Sequence, residues 1–420
     1  MAKRHAFRPG EWETVAHRLD EIISAHSGED PFSEAKTLLV AKLTHESADA
    51  PDSGFLAQDT GLAAQVDGLL AAAQRRWPGI VEASTRCRLS DDAIARCAEV
   101  LRSVHVRADD LIGLDALFEC IVSRAAKGQK GQFFTPRHVV AEIVRMLQPG
   151  PADWVVDPAC GSGGFLHHAL RHAPDCQVFG FDADARAVQV ARILLSASGQ
   201  PADRIQRVDS LLRRGDPQGG QSVADAPTLG TIEAILQLHA PDFAGFDLVL
   251  TNPPFAGDVG DSYAAAYELA QGGRVERDVL FVERCVGLLK PGGRLAMVLP
   301  HNKFSGQRWA YLRRWALAWL QDVAVISLGR NTFQPHTSQK ACVLIGRKRH
   351  RAQIPQGRER VLFFISERDG KDARGRLIYR QSVGGDSPPG GRTWLDIDHD
   401  LAQAVPLVQR QLAAVQETPL

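Results

Sequence analysis

The chain has 420 residues, of which 44% are hydrophobic and 23% are charged, as in ordinary soluble globular proteins of two or three domains. Its 49 Lys and Arg residues balance 49 Asp and Glu residues, which excludes the overall basic charge of a free-standing nucleic-acid binder. Seven cysteines form no Cys-x-x-Cys pair and no zinc spacing, and their odd number argues against a disulfide framework, so we expect no metal site and a reducing compartment. No stretch approaches the roughly 18 apolar residues of a membrane span, and we expect no membrane contact and a cytoplasmic location.

Apolar residues recur at helical spacing from Glu11 to about Arg124. Ser90, followed by Asp91 and Asp92, has the pattern of a capped helix start. No cluster of catalytic residue types occurs in this part of the chain. The sequence therefore predicts an N-terminal all-helical domain over residues 1–126, which serves to pack against something else.

A small, polar and basic hinge, Lys127–Gly131, precedes a regular alternation of apolar strands and amphipathic helices. This alternation predicts an α/β domain over residues 127–350, with a doubly wound, Rossmann-like sheet. Residues 351–420 are predicted to form an extension of one strand, a loop and a helix. The basic residues between Arg347 and Arg360 are either solvated surface or a contact for phosphate groups.

The α/β domain opens with two adjacent aromatic residues, Phe133 and Phe134, just before a predicted helix. Thr135 suits the N-cap of that helix and Pro136 its first position. A well-capped helix explains these two residues but not the aromatic pair. Exposed backbone amides at the helix start, next to a ring, could hold a ligand.

A buried strand ending at Asp157 leads into a glycine-rich turn, Gly161–Gly164. Such a turn lets a ligand approach the backbone, but it lacks the spacing of a dinucleotide fingerprint or of a phosphate loop. The next strand ends at Asp182, 25 residues after Asp157, which is about the distance at which an acid meets a ribose diol. Asp182 could instead cap the following helix. A third strand is predicted to end at another acid, Asp209.

The strand Phe246–Thr251 stops at Asn252, Pro253, Pro254 and Phe255, because proline can continue neither a sheet ladder nor a helix. An amide, two carbonyl-bearing prolines and a ring suit a planar ligand with an exocyclic amino group. The alternative is a strand followed by a simple Pro-Pro turn. The long polar loop that follows, Gly257–Gly273, is typical of a mobile binding loop.

Taken in order, Gln132–Pro136, Asp157–Phe165 and Asn252–Phe255 closely resemble motifs of N6-adenine DNA methyltransferases, and above all of the modification subunits of type I restriction-modification systems. The resemblance implies a methyltransferase sheet, S-adenosyl-L-methionine as cofactor and DNA as substrate. It also implies a specificity subunit as partner, with two modification chains per specificity subunit, and a restriction subunit as a further candidate. The position of Asp182 is often Glu in that family, and the chain is short for such a subunit, which puts the usual C-terminal helical contact in doubt.

By the same resemblance, Asn252, Pro253, Pro254 and Phe255 would hold the target base. The S-adenosyl-L-methionine site would be lined by Gln132, Phe133, Phe134, Thr135, Pro136, Arg137, Asp157, Gly161, Ser162, Gly163, Gly164, Asp182 and Asp209.

The residues themselves suggest the chemistry of an amine methylation. The Asn252 side-chain oxygen and the Pro253 carbonyl can each accept a hydrogen bond from one N–H of an aromatic amine. Phe255 can stack on a base that has left the duplex. Two alternatives remain open at this level. The chain could be a non-catalytic scaffold that only binds the methyl donor, or it could methylate RNA adenine or a protein glutamine amide.

Overall fold

A computed structural model of the chain describes residues 11–26, 30–47, 54–57, 60–104, 106, 117–118, 120–121, 135–213, 231–239, 243–255, 257, 259, 263, 266–270, 275–354, 360–380 and 396–413. Among the helices of these residues, none is both long and apolar enough to cross a bilayer.

The described residues form helices that alternate with strands from residue 137 onward. In chain order the helices are α1 (Glu11–His26), α2 (Pro31–Glu46), α3 (Leu62–Arg76), α4 (Asp91–Arg102), α5 (Arg137–Leu147), α6 (Gly164–His172), α7 (Ala185–Ala197), α8 (Ile232–His239), α9 (Arg277–Leu288), α10 (Asn302–Ser305), α11 (Ala310–Trp319) and α12 (Ala404–Ala413). The strands are β1 (Trp154–Asp157), β2 (Gln177–Asp182), β3 (Ile205–Arg207), β4 (Phe246–Thr251), β5 (Leu289–Pro300), β6 (Leu320–Ser327), β7 (Ala341–Lys348) and β8 (Leu362–Ile365).

The chain divides into two compact units. The first contains the described residues of Met1–Lys130 and Ala185–Ile205, and the second those of Gly131–Asp184, Gln206–Gln381 and Trp394–Leu420. In the first unit α1 packs against α2 and α4, and α2 packs against α3. Ser90 accepts a hydrogen bond from the Ala93 amide, which confirms the predicted start of α4. The predicted domain boundaries at residues 126 and 350 stay predictions.

The strands form one sheet in the order β3-β2-β1-β4-β5-β7-β6-β8. Strands β2, β1, β4 and β5 run parallel to one another, and β8 runs parallel to β6. Strand β7 is inserted antiparallel between β5 and β6. This order confirms the predicted α/β class with a Rossmann-like sheet.

Both faces of the sheet are covered by helices. Val155 and Val156 are adjacent in β1, so they point to opposite faces, and both are completely buried. One core joins the strands to α8, α9 and α11. Elsewhere in the second unit, α5 packs against α6, α12 and β5. The layers hold the strands rigidly, so that the carboxyl ends of the strands can position functional groups.

Some local predictions were wrong. Helix α5 begins at Arg137 with Pro136 at its N-cap, so the predicted cap at Thr135 is one residue too early. Strand β3 ends at Arg207 rather than next to Asp209. Helix α8 was not predicted.

Candidate active site at the carboxyl ends of the strands

Strands β1 and β4 are neighbours in the sheet, although β2 and β3 lie between them in the chain. They run parallel, with Val156 opposite Val249. After β1 the chain turns to β2 on one side, and after β4 it turns to β5 on the other. Open α/β sheets bind ligands at such a switch point, beyond the carboxyl ends of the strands. The predicted site residues Asp157 and Asn252 lie at these two ends.

Asp157, at the end of β1, is a buried carboxylic acid with 1% of its surface exposed. Its Oδ1 accepts a hydrogen bond of 3.0 Å from the Ala159 amide. Burial raises the pKa of Asp157 to about 7, and the nearby Thr251 hydroxyl and Ala159 amide oppose this rise. Thr251 is the last residue of β4, so the end of the neighbouring strand also influences this carboxyl group.

The glycine-rich turn connects β1 to α6 and folds back on β2. The Cys160 amide donates to the Phe181 carbonyl at 2.9 Å, and the Gly163 amide donates to the Cys160 carbonyl at 2.8 Å. Gly161 and Gly163 have φ angles of 52° and 88°, which residues other than glycine rarely adopt. The turn therefore needs glycine at both positions, and it presents bare backbone at the carboxyl edge of the sheet.

Asp182 ends β2 and anchors this turn. Its Oδ2 accepts a hydrogen bond of 2.9 Å from the Gly161 amide, and its Oδ1 accepts one of 2.9 Å from the Asp184 amide. Burial raises the pKa of Asp182 to about 6, and these backbone hydrogen bonds oppose the rise. A side chain that caps α7 would accept hydrogen bonds from amides in the first turn of that helix. Neither of these two amides lies in α7, so Asp182 does not act as a simple helix cap. Each oxygen keeps one lone pair for a further donor.

Asp209 lies just beyond β3 and contacts a residue that the sequence did not single out as a site residue. Its Oδ2 accepts a hydrogen bond of 2.7 Å from the Tyr263 hydroxyl, and its Oδ1 accepts one of 3.0 Å from the Leu211 amide. Nearby, the Tyr267 hydroxyl donates to the Leu211 carbonyl at 2.7 Å. Two tyrosines of the predicted binding loop are thus held by hydrogen bonds to Asp209 and to the Leu211 backbone.

Asn252 follows β4 and is partly exposed, whereas Pro253 and Phe255 are buried. The Phe255 ring meets the Phe333 ring edge to face, with 5.9 Å between the ring centres. Phe333 has 2% of its surface exposed and was missed by the sequence reasoning.

The segment that carries Phe333 is held by residues from the C-terminal part of the chain. The Asn331 amide donates to Asp369 Oδ2 at 2.7 Å. Gly375 lies so close to Pro335 that a Cβ at Gly375 would stand 2.6 Å from the Pro335 nitrogen. Residues far along the chain therefore support the wall against which Phe255 packs.

Arg137, the first residue of α5, reaches the glycine turn. Its guanidinium lies where a Cβ at Gly164 would be, so a side chain at Gly164 would displace it. Burial, and secondarily the charge of Arg137, lowers the pKa of His167 to about 3, and the same two causes lower the pKa of His168. Both imidazoles are therefore neutral, and Arg137 is the fixed positive charge beside the turn.

Among the other predicted donor-site residues, Ser162 and Thr135 are buried and Pro136 is partly buried. Gln132, Phe133 and Phe134 lie outside the described residues, so their predicted role stays a prediction. Within the described ranges, no group of three or more His, Cys, Asp or Glu side chains could hold a metal ion.

The chain is similar to known proteins over much of its length. A family model described as N-6 DNA Methylase matches residues 108–377. The methylase subunit of the type I restriction enzyme StySPI from Salmonella potsdam is 28% identical over 207 residues, which are 47% of this chain and 37% of that protein. The type II methyltransferase M.VspI from Vibrio sp. (strain 343) is 25% identical over 236 residues, which are 55% of this chain and 51% of that protein.

The fold is also found among solved structures. The crystal structure of a type I restriction-modification system methyltransferase subunit from Streptococcus thermophilus matches with a TM-score of 0.51 and 16% identity, covering 80% of this chain and 84% of that one. At this identity the likeness concerns the fold alone. The match to the StySPI subunit spans little more than a third of that protein's length.

Proposed function

Because the chain belongs to the N-6 DNA Methylase family, we propose that it transfers a methyl group from S-adenosyl-L-methionine to the N6 amine of an adenine in DNA. The observation that carries the proposal is the pairing of β1 with β4. Because the two strands are neighbours, the glycine turn after β1 and Asn252 after β4 follow adjacent strand ends, which supports one switch point with both a donor-binding and an amine-binding surface.

The residues around the turn fit the methyl donor. Gly161 and Gly163 leave the backbone bare, and Asp182 is a carboxylate whose two oxygens can each accept one hydroxyl of a ribose diol. Arg137 adds a positive charge that suits a carboxylate group. Asp209 and the predicted aromatic pair would complete this surface. When bound, S-adenosyl-L-methionine supplies a methyl group on a sulfonium that is already a good leaving group.

The chain must then position and prepare the accepting amine rather than supply a strong base. The lone pair of an aromatic amine is delocalised into the ring, which makes the amine a poor nucleophile. The Asn252 side-chain oxygen and the Pro253 carbonyl can each accept a hydrogen bond from one N–H of this amine. These two hydrogen bonds favour a pyramidal nitrogen. Phe255 would stack on the base, with Phe333 behind it.

An adenine inside a duplex cannot reach this edge of the sheet, so the reaction requires that the base leaves the stack. We further propose a specificity subunit as partner, with a restriction subunit as a further candidate, because the relatives from type I restriction enzymes are themselves subunits. The intact Asn252–Phe255 motif favours this enzyme over a scaffold that only binds the donor.

The test is transfer of tritiated methyl from S-adenosyl-L-methionine onto plasmid DNA, with and without co-expressed neighbouring subunits. Digestion to nucleosides should place the label on N6-methyladenine. Asn252→Ala should lose ~100-fold or more of this activity, because a preorganised acceptor at the reacting centre is removed. Asn252→Asp keeps an acceptor oxygen and serves as the matched variant, with part of the activity retained. Label found only in RNA or protein would reject DNA as the substrate.

A further inference from the structure

Lys303 lies shortly beyond the carboxyl end of β5, and its side chain is completely buried. Its ammonium pairs with the carboxylate of Glu276 and lies 3.3 Å from Asp278 Oδ2. It also lies 3.7 Å from the centre of the Trp309 ring. The proposed reaction uses none of these four side chains, so their arrangement needs another explanation.

A buried ammonium ion is costly unless it is well paired, and removing one partner of a buried pair leaves the other charge uncompensated. Here two carboxylates face one ammonium, and the Asp278 side chain is also completely buried. Burial raises the pKa of Asp278 to about 6, against the opposing charge of Lys303. Without Lys303, Glu276 and Asp278 would repel each other inside the protein.

The backbone between the two carboxylates is joined to the segment that follows the target-base motif. The Arg277 amide donates to the Gly257 carbonyl at 3.0 Å, and the Val259 amide donates to the Val275 carbonyl at 3.3 Å. Gly257 is the second residue after Phe255. The position of residues 275–277 therefore fixes the positions of Gly257 and Val259, which follow Phe255 closely in the chain.

Lys303 itself is held in place from a second direction. Arg313 of α11 donates through Nη1 to the Lys303 carbonyl at 3.2 Å and to the Gly306 carbonyl at 2.7 Å. The position of Lys303 is thus fixed at two points, because its backbone carbonyl accepts a hydrogen bond from α11 and its ammonium lies over the Trp309 ring.

We propose that Lys303 is a positioning residue for methyl transfer. Through its two carboxylate partners it fixes residues 275–277, and through them the backbone that holds Asn252 and Phe255 in their working geometry. The inference rests on the proposed function, since it assigns Lys303 a task in that reaction. Loss of the Lys303 charge should therefore slow the transfer step. It should not weaken binding of the donor, because the proposed donor site follows β1 and β2.

The experiment compares Lys303→Met, which keeps the length and removes the charge, with Lys303→Arg, which restores a cation. Glu276→Gln is a milder variant, at a side chain with 23% exposure, in case Lys303→Met does not fold. The matched control is Arg347→Met. Arg347 pairs with Asp322 at 3.2 Å near the amino-terminal ends of β5 and β6, far along those strands from Lys303.

We expect Lys303→Met to lower kcat by ~10- to 100-fold with donor affinity within a few fold, as when reacting groups are displaced by about 1 Å. Lys303→Arg should recover much of the loss. Arg347→Met should lower Tm and leave kcat unchanged at a temperature where all variants are folded. A Lys303→Met protein that loses only Tm, or loses donor affinity in proportion to kcat, would overturn the proposal.

Hydrogen exchange supplies a readout that needs no substrate. The amides of Val259 and Arg277 should exchange ~10-fold or more faster in Lys303→Met than in the wild type, because their carbonyl partners are no longer held. They should be unchanged in Arg347→Met. If the wild type transfers no methyl group at all, the proposed function fails while this measurement still judges the link from Lys303 to the loop. Unchanged exchange in Lys303→Met would refute that link.

Discussion

Asp157 and Asp182 are both carboxylic acids at strand ends, but their partners differ. Asp157 is almost completely buried at the end of β1, and its Oδ1 accepts a hydrogen bond from the Ala159 amide. Asp182 is partly exposed, and each of its two oxygens accepts a hydrogen bond from one backbone amide. We infer that Asp182 contacts the donor directly, whereas Asp157 supports the turn after β1 from inside the protein.

Asp182→Ala should weaken binding of S-adenosyl-L-methionine by ~1–3 kcal/mol, the scale of losing hydrogen bonds to a charged acceptor. The measurement is calorimetric titration of the donor, with Tm recorded because the Gly161 amide also loses its acceptor. Asp175→Ala is the matched control, since Asp175 is an exposed acid just before the other end of β2. An unchanged affinity in Asp182→Ala would remove Asp182 from the donor site.

Asp157 should make the fold less stable as the pH rises through neutrality. Its pKa is about 7 in the folded chain and 3.8 for an ordinary Asp, so the stability that its protonated form contributes is complete below the ordinary value and is lost as the pH rises through about 7. Between about pH 6 and about pH 8 the wild type should lose about 1 kcal/mol more of its unfolding free energy than Asp157→Asn. Denaturant unfolding at the two pH values measures this. Parallel losses in both proteins would show that Asp157 does not titrate in this range.

The positions of these acids could be predicted from the sequence, because each follows a short apolar run that must end at the edge of a sheet. Their partners could not. Tyr263 lies 54 residues from Asp209 along the chain, and nothing in local sequence sets that distance in space. The neutral state of His167 likewise depends on burial and on Arg137, which belongs to another helix.

At the scale of elements, the glycine turn and the Asn-Pro-Pro-Phe strand end were predictable because backbone sterics at glycine and proline act locally. The antiparallel insertion of β7 was not, since strand direction is decided by long-range pairing. The support of the Phe333 segment by Asp369 and Gly375 was missed for the same reason. We infer that this C-terminal support is part of the active site's wall.

Gly375→Ala tests that support against a matched glycine. Gly375 and Gly199 both have a φ of +82°, but Gly199 has open space around its Cβ position and Gly375 has the Pro335 backbone at 2.6 Å. Gly199→Ala should cost ~1–2 kcal/mol from the left-handed conformation alone. Gly375→Ala should cost ~1–3 kcal/mol more, because the backbone it meets cannot move aside without strain. It should also reduce methyl transfer by moving Phe333.

The two variants are compared by denaturant unfolding and by the tritium transfer assay. Equal losses of stability would show that the contact with Pro335 relaxes freely. A Gly375→Ala protein that is destabilised but transfers methyl groups at the wild-type rate would separate the C-terminal segment from the active site.

At the scale of the whole molecule, the charges of the chain sum to zero, and the first three residues of its basic run are engaged within the protein. Arg347 pairs with Asp322, Lys348 donates to the Leu289 carbonyl, and Arg349 donates to the Leu320 carbonyl at 3.2 Å. Side chains that are engaged in this way hold β5, β6 and β7 together. They are poor candidates for the phosphate contacts that would fix a protein's register on DNA.

The chain is therefore expected to need a partner to choose its DNA sequence. Reading a sequence requires side chains placed against base edges in a groove, together with phosphate contacts that hold the register. The described helices α1 to α4 show amphipathic packing rather than a basic face, and Arg347, Lys348 and Arg349 of the basic run have partners within the protein. We predict that the purified chain binds the donor but binds DNA weakly, and that methylation of one defined motif appears only when a specificity subunit is present. Single-molecule sequencing of DNA from cells that express this chain with and without such a subunit measures the outcome directly. Full methylation of a single motif by the chain alone would show that the recognition element lies within these 420 residues.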